Sequence, residues 1–353
     1  MNISNRVLVI GPAWIGDMVM AQSLLLSLKA QDPNIEITIV APAATAPLAH
    51  RMPQVHEVIE TPFRHGHLDL RKRIALGRSL INRRFQRALI LPGSIKAALI
   101  PFFARIPLRS GYSGEPRWGL INDLRKRPKS KADLMVERFT QLGRLPGSSA
   151  SDKFMPPQLQ SSRQEAEKTL SRFGLSLTDE PVLALCPGAE FGPAKRWPSQ
   201  YFATLADHYA AQGWRIWILG GPGDRDAAQE LLGACTQRDR VISLAGRTKI
   251  LEAVDLLALA TAVVSNDSGL MHVAAAVGVP TVGIFGSSSE LHTPPLGERA
   301  AAVSQAMSCR PCFARTCPLE HTNCLKTLLP ETVIRELTAL LEDDAKTGSY
   351  NRR

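Results

Sequence analysis

Asn266-Asp267-Ser268-Gly269 stands between a short apolar run, Val263-Val264, and the helical stretch Leu270–Val277, which Gly278 ends and Pro280 blocks. Another strand-like run starts at Val282. The free N–H groups and positive dipole end of such a helix suit a phosphate. Asp267 either caps the helix or accepts from a hydroxyl, and a carboxylate suits a sugar hydroxyl better than a phosphate. His272 falls in the first helical turn, where the dipole lowers an imidazole pKa, so a neutral hydrogen-bonding ring is expected.

Three further loops have the same placement. Cys186-Pro-Gly188-Ala-Glu190-Phe-Gly-Pro-Ala-Lys195-Arg196 leaves an apolar strand and enters a helix that Pro198 can start. Its glycines and prolines fix a loop close to a ligand, and Lys195 or Arg196 can neutralise a diphosphate. Leu219-Gly-Gly-Pro-Gly-Asp224 and Gly246-Arg247-Thr248 follow two more strands. Either could be a plain turn, but four such loops on one sheet edge point to a nucleotide-type site.

Near the N-terminus, Gly11 to Asp17 links strand Val7–Ile10 to helix Asp17–Lys29. It is neither a P-loop nor G-x-G-x-x-G. Asp17 would repel a phosphate. It reads as a helix cap or as a general base taking a proton from an attacking hydroxyl.

Cys309, Cys312, Cys317 and Cys324 are spaced C-x2-C-x4-C-x6-C. Four thiols at that spacing suit a structural zinc or iron–sulfur site, against the alternative of a reduced loop. Cys186 and Cys235 are isolated and expected to be buried.

The elements that position these residues alternate between strand and helix, which argues for parallel sheets. The alternation pauses at the polar, proline-containing stretch 147–162 and then resumes. The expected fold is α/β, two Rossmann-like domains at residues 1–160 and 161–330 facing a central cleft. A closing helix at 331–342 has Val333, Ile334, Leu337, Leu340 and Leu341 on one face.

Of the net charge of +10, residues 1–150 hold 22 Lys+Arg against 10 Asp+Glu, while 151–353 hold 20 against 22. The first half must therefore meet an anionic partner. Its basic tract, Arg64 to Arg87, and a second run, Arg125, Lys126, Arg127, Lys129 and Lys131, lack the interleaved aromatics of a nucleic-acid groove. No nucleic acid is expected; a phosphorylated, membrane-embedded acceptor fits better. No apolar run reaches the ~20 residues of a membrane span and no signal peptide is visible, so a cytoplasmic location is expected.

The strings VIGPAWIGDMVMAQSL, MVERF, CPGAEFGPAKRWP and NDSGLMHVAAA, in this order, resemble the lipopolysaccharide heptosyltransferases of glycosyltransferase family 9, and among them the type that adds the second core heptose. The match runs from residue 7 to about residue 296. The resemblance implies a GT-B fold, an acceptor-binding N-terminal half and a C-terminal half that binds ADP-heptose. It implies that the final helix packs back onto the first domain. By motif, Asp17 matches the base and Lys195 the lysine near the donor diphosphate. Gly188, Glu190, Thr248, Asp267, Ser268, Gly269 and His272 fall at donor positions, Glu190 standing where a related type carries threonine. Arg71, Arg73, Lys96 and Arg109 are the candidate acceptor contacts. The implied acceptor is heptosyl-Kdo2-lipid A at the cytoplasmic face of the inner membrane, where the protein would be peripheral. The family's chemistry needs no cofactor, so a metal at the cysteines would be structural. The alternatives are another nucleotide-sugar enzyme, such as the first heptosyltransferase type or an epimerase, and an anion- or nucleic-acid-binding protein, which would explain the charge but not the clustered loops.

Overall fold

The computed structural model describes residues 5–63, 66–126, 134–145, 154–177 and 179–347. Arg64, Arg127, Lys129 and Lys131 of the basic runs, and 147–153 of the linker stretch, lie outside them. The chain divides into two compact units, Met1–Pro157 and Gln158–Arg353.

The first unit runs β1 (Arg6–Ile10), α1 (Ile15–Gln31), β2 (Glu36–Pro42), α2 (Ala46–Ala49), β3 (Glu57–Thr61) and α3 (Leu70–Ser79). It continues through β4 (Arg87–Ile90), α4 (Ile95–Phe103), β5 (Leu108–Tyr112), β6 (Asp123–Arg125) and α5 (Met135–Gly143). The second unit runs α6 (Arg163–Arg172), β7 (Val182–Cys186), α7 (Ser199–Ala210), β8 (Arg215–Ile218), α8 (Arg225–Ala234), β9 (Val241–Ser243) and α9 (Ile250–Leu259). Then come β10 (Ala262–Asn266), α10 (Gly269–Ala276), β11 (Thr281–Phe285), β12 (Ala300–Ser304), α11 (Asn323–Lys326) and α12 (Pro330–Thr347).

Each unit holds one six-stranded parallel sheet, ordered β3-β2-β1-β4-β5-β6 in the first and β12-β11-β10-β7-β8-β9 in the second. Counted within a unit, both are the 3-2-1-4-5-6 order of the doubly wound nucleotide-binding fold. The central strands are buried along their length, VLALC in β7 and AVVSN in β10, as strands covered by helices on both faces must be. Removing those runs from water drives the packing of each unit.

The closing helix buries the apolar face read from the sequence. In α12, Val333 and Leu337 are fully buried, and Ile334, Leu340 and Leu341 pack on the same core as Leu183, Trp197 and Phe202. The helix lies on α7, β11 and β12. Its apolar stripe is thus buried on the second unit.

Candidate functional site

In a 3-2-1-4-5-6 sheet the connections leave in opposite directions from the first and fourth strands, opening a crevice beyond their carboxyl ends. In the second unit those strands are β7 and β10. The Cys186–Arg196 loop follows one and Asp267–Gly269 the other, so two of the clusters singled out in the sequence meet at the switch point.

Lys195 is held on a single 3-10 turn, Pro193–Lys195. Its Nζ donates to Asp267 Oδ2 at 2.5 Å, with the Lys195 side chain 16% and the Asp267 side chain 4% exposed. The Phe191 ring lies 5.0 Å from the same ammonium and 5.2 Å from the Arg315 guanidinium. Asn266, fully buried, ties the two loops together. Its Oδ1 accepts from the Trp197 N–H at 3.1 Å and its Nδ2 donates to the Pro187 carbonyl at 2.7 Å.

Ser268 is the N-cap of α10, but its side chain caps nothing in that helix; its Oγ lies 3.2 Å from Ser265 Oγ. No N-cap side chain therefore covers the amides of the first turn, and Gly269 opens the helix without a Cβ. His272, one turn in, is 5% exposed. Burial pushes its pKa down to about 4, with the Lys195 charge adding to the fall and Asp267 opposing it. Burial, the first cause of this fall, favours the neutral ring.

The other loops close in from β8 and β9. Asp224 Oδ2 accepts from the Gly221 N–H at 2.8 Å. A Cβ on Gly188 would stand 2.1 Å from Asp224 Cγ, so only glycine lets this carboxylate lie against the β7 loop. Gly246, at φ +67, donates its N–H to Gly220 at 2.9 Å, and Thr248 is half-buried just before α9. Glu190 is exposed at the tip of the β7 loop.

Sequence reasoning missed the loop after β11. Ser287 and Ser288 are 2% and 3% exposed, and their Oγ atoms have no hydrogen-bond partner among the described residues. Ser287 N–H donates to the Ala194 carbonyl at 3.1 Å, which places this loop beside Lys195. The signal was available: it is one more polar loop leaving the carboxyl end of a strand.

Cys309, Cys312, Cys317 and Cys324 line one pocket with His321, Ser287 and Ala194. Burial, and then the three other thiols, push the Cys324 pKa up, while backbone N–H groups, that of Thr322 first, pull Cys317 down. Yet among the described residues no group of three or more His, Cys, Asp or Glu is arranged to hold a metal ion. The thiols converge, but this geometry does not support the expected zinc or iron–sulfur site. Cys186 and Cys235 are buried as expected.

In the first unit the switch point lies between β1 and β4. Asp17 is there, half-buried in the first turn of α1, whose N-cap is Trp14. Asp17 is thus not the cap itself. Of the candidate acceptor contacts, Arg71 is exposed and Lys96 half-buried. Arg73 donates to the carbonyls of Leu68 at 2.7 Å and Lys96 at 3.2 Å. Arg109 donates to Leu120 at 2.7 Å and Ile106 at 2.6 Å. Burial lowers the pKa of both. These two guanidiniums pin loops together.

Residues 73–323 match the model of glycosyltransferase family 9 (heptosyltransferase). The chain belongs to glycosyltransferase family 9. It is 42% identical to the lipopolysaccharide heptosyltransferase 2 of Salmonella typhimurium over 346 residues, 96% of this chain and 99% of that one. The solved Escherichia coli ADP-heptose LPS heptosyltransferase II superposes with a TM-score of 0.86 at 40% identity, over 96% and 99% of the two chains. The E. coli heptosyltransferase WaaC, solved with ADP-2-deoxy-2-fluoro heptose, shares the fold at a TM-score of 0.69 and 21% identity, over 95% and 99%. This family 9 chain is accordingly a glycosyltransferase of GT-B type. Among its described residues no helix is long and apolar enough to cross a membrane.

Proposed function

We propose that this chain transfers L-glycero-D-manno-heptose from ADP-heptose to the first heptose of the lipopolysaccharide inner core, forming the second core heptose. The observation that carries the reading is the Lys195–Asp267 pair at the switch point of the second unit, beside the open first turn of α10. A lysine and helix amides at one place suit a diphosphate; a buried carboxylate and a neutral imidazole next to it suit a sugar nucleotide's hydroxyls. The relatives named heptosyltransferase 2 match over nearly their whole length, and the structure with an ADP-sugar analogue shares the fold.

In this reading Asp17 takes the proton from an acceptor hydroxyl as that oxygen attacks the anomeric carbon of the donor. The bond to the ADP oxygen breaks with inversion. Lys195 and the α10 amides receive the charge that grows on ADP. Gly188, Glu190, Thr248, Ser268 and Gly269 form the donor loops, and no step is assigned to a cofactor. The acceptor is heptosyl-Kdo2-lipid A, approached by the basic first unit, with the protein peripheral to the cytoplasmic face of the inner membrane.

The test is direct. Purified protein is incubated with ADP-heptose and a monoheptosylated lipid A core, and the product is analysed by mass and NMR. One added heptose on the first heptose is expected. Free sugar, an epimer or no product would overturn the reading.

A further inference from the structure

Because the first sheet is wholly parallel, every loop that follows one of its strands leaves from the same edge. That edge carries large apolar side chains in water. Trp14, after β1, is 41% exposed; Leu68 and Leu70, after β3, are 51% and 43%; Ile95, after β4, is 38%; and Trp118, after β5, is 84% exposed. Isolated exposed hydrophobics are ordinary, but this collection at one edge is not.

The loops form one surface. Arg73 links the carbonyls of Leu68 and Lys96. Glu115 accepts from the Ile95 N–H at 2.7 Å, and its own N–H donates to Gly93 at 3.1 Å. Arg117 donates to Pro92 at 2.9 Å from within the Trp118 loop. Arg109 holds the far side of that loop through Leu120. Arg73 and Arg117, both buried, and the half-buried Arg109 thus tie together loops whose tips are apolar.

Cations stand beside the tips that follow β3 and β4. Arg71, Lys72 and Lys96 lie on the first turns of α3 and α4, in a half of the chain with 22 Lys+Arg against 10 Asp+Glu. An apolar edge flanked by cations is the pattern of a surface that seats in an anionic lipid interface: indole and leucine enter the headgroup–acyl boundary while lysine and arginine meet phosphates.

We infer that the carboxyl edge of the first sheet, led by Trp118, Leu68 and Leu70, is the face that docks on an anionic bilayer. This deepens the reading of a membrane-borne acceptor and rests on it only for its biological sense, since the docking surface stands on its own residues. Asp17 lies on the same edge, after β1, so docking would bring the proposed base toward the lipid surface.

The experiment is vesicle co-sedimentation of the full chain. Vesicles of phosphatidylethanolamine with phosphatidylglycerol are compared with pure phosphatidylcholine. The wild type is expected to bind the anionic vesicles and to lose binding in high salt. Trp118→Ser, and separately the pair Leu68→Ser and Leu70→Ser, should each weaken partitioning about tenfold. Leu291→Ser, at a 63% exposed leucine of the second unit, should leave it unchanged. Trp118→Phe should retain binding but reduce quenching of tryptophan fluorescence by brominated lipid. Wild-type-like binding by both serine variants, equal binding to both vesicle types, or a self-association lost in Trp118→Ser without vesicle binding would each overturn the inference. Vesicle binding that follows this pattern without any heptosyl transfer would sink the proposed function and leave the docking face standing.

Discussion

Lys195 Nζ and Asp267 Oδ2 are 2.5 Å apart, joined across the switch point of the second sheet by residues 72 positions distant in the chain. The pair is largely withdrawn from water. A donor diphosphate entering the crevice must share Lys195 with Asp267. Lys195→Ala should therefore do two things. The donor KM should rise at least about tenfold, and stability should fall by about 3 kcal/mol because Asp267 is left buried without its partner. Steady-state kinetics and denaturant unfolding measure both; unchanged donor KM and kcat would remove the lysine from the donor site.

Asp17→Asn keeps the side chain's shape and removes its basicity. ADP-heptose binding should survive, since the donor residues belong to the second unit, while kcat should fall by about a hundredfold or more. Calorimetric titration of the donor alongside turnover separates these outcomes. Near-normal turnover would show that another group takes the proton.

Gly188→Ala places a methyl group on the Asp224 carboxylate. Asp224 must move, losing its bond to the Gly221 N–H, at a cost of about 1–3 kcal/mol and with weaker donor binding. Gly223→Ala, in the loop that carries Asp224, meets nothing within 4 Å and serves as the comparison. Equal melting temperatures for the two variants would contradict this account of the loop.

His272 has a folded pKa lowered to about 4 from 6.5. The unfolded chain therefore takes up this proton first as pH falls, so its contribution is complete above about pH 6.5 and is lost down to about pH 4. The loss is about 3 kcal/mol over that window. His272→Gln should flatten this part of the pH dependence of the denaturant midpoint. A wild-type slope in the variant would mean other groups carry it.

The β10–α10 unit could be read almost to the residue because its stops are local: Gly278 and Pro280 end the helix wherever it packs. β5, β6 and β12 went unread. They are short edge-side strands, LRSGY, DLR and AAAVS, and they are strands because β4, β5 and β11 pair with them, not because their own pattern requires it. The arginines show a different limit. Arg87 of the basic tract is 5% exposed, is pushed down to about 10 by burial, and donates to the carbonyls of Leu142, Gly143 and Arg144. With Arg73 and Arg109 it holds loops in place. In a sequence, an arginine that holds a carbonyl and one that awaits a phosphate are the same letter. The buried serines after β11 were missed because nothing but their place after a strand marks them.

The loop bearing Lys195 takes its long-range hydrogen bonds, among the described residues, from later in the chain. Trp197 N–H needs Asn266, Ala194 needs Ser287 and Arg315, and the Trp197 indole N–H donates to Leu328 at 2.8 Å, 131 residues onward. On a ribosome the strands of the first unit can pair long before this, but the loop of Lys195 lacks its full set of anchors until the segment through Leu328 has been released. During synthesis the first unit can therefore be complete while the lysine that would meet the diphosphate is still unset, and that order of assembly is written into which carbonyls and amides the loop uses.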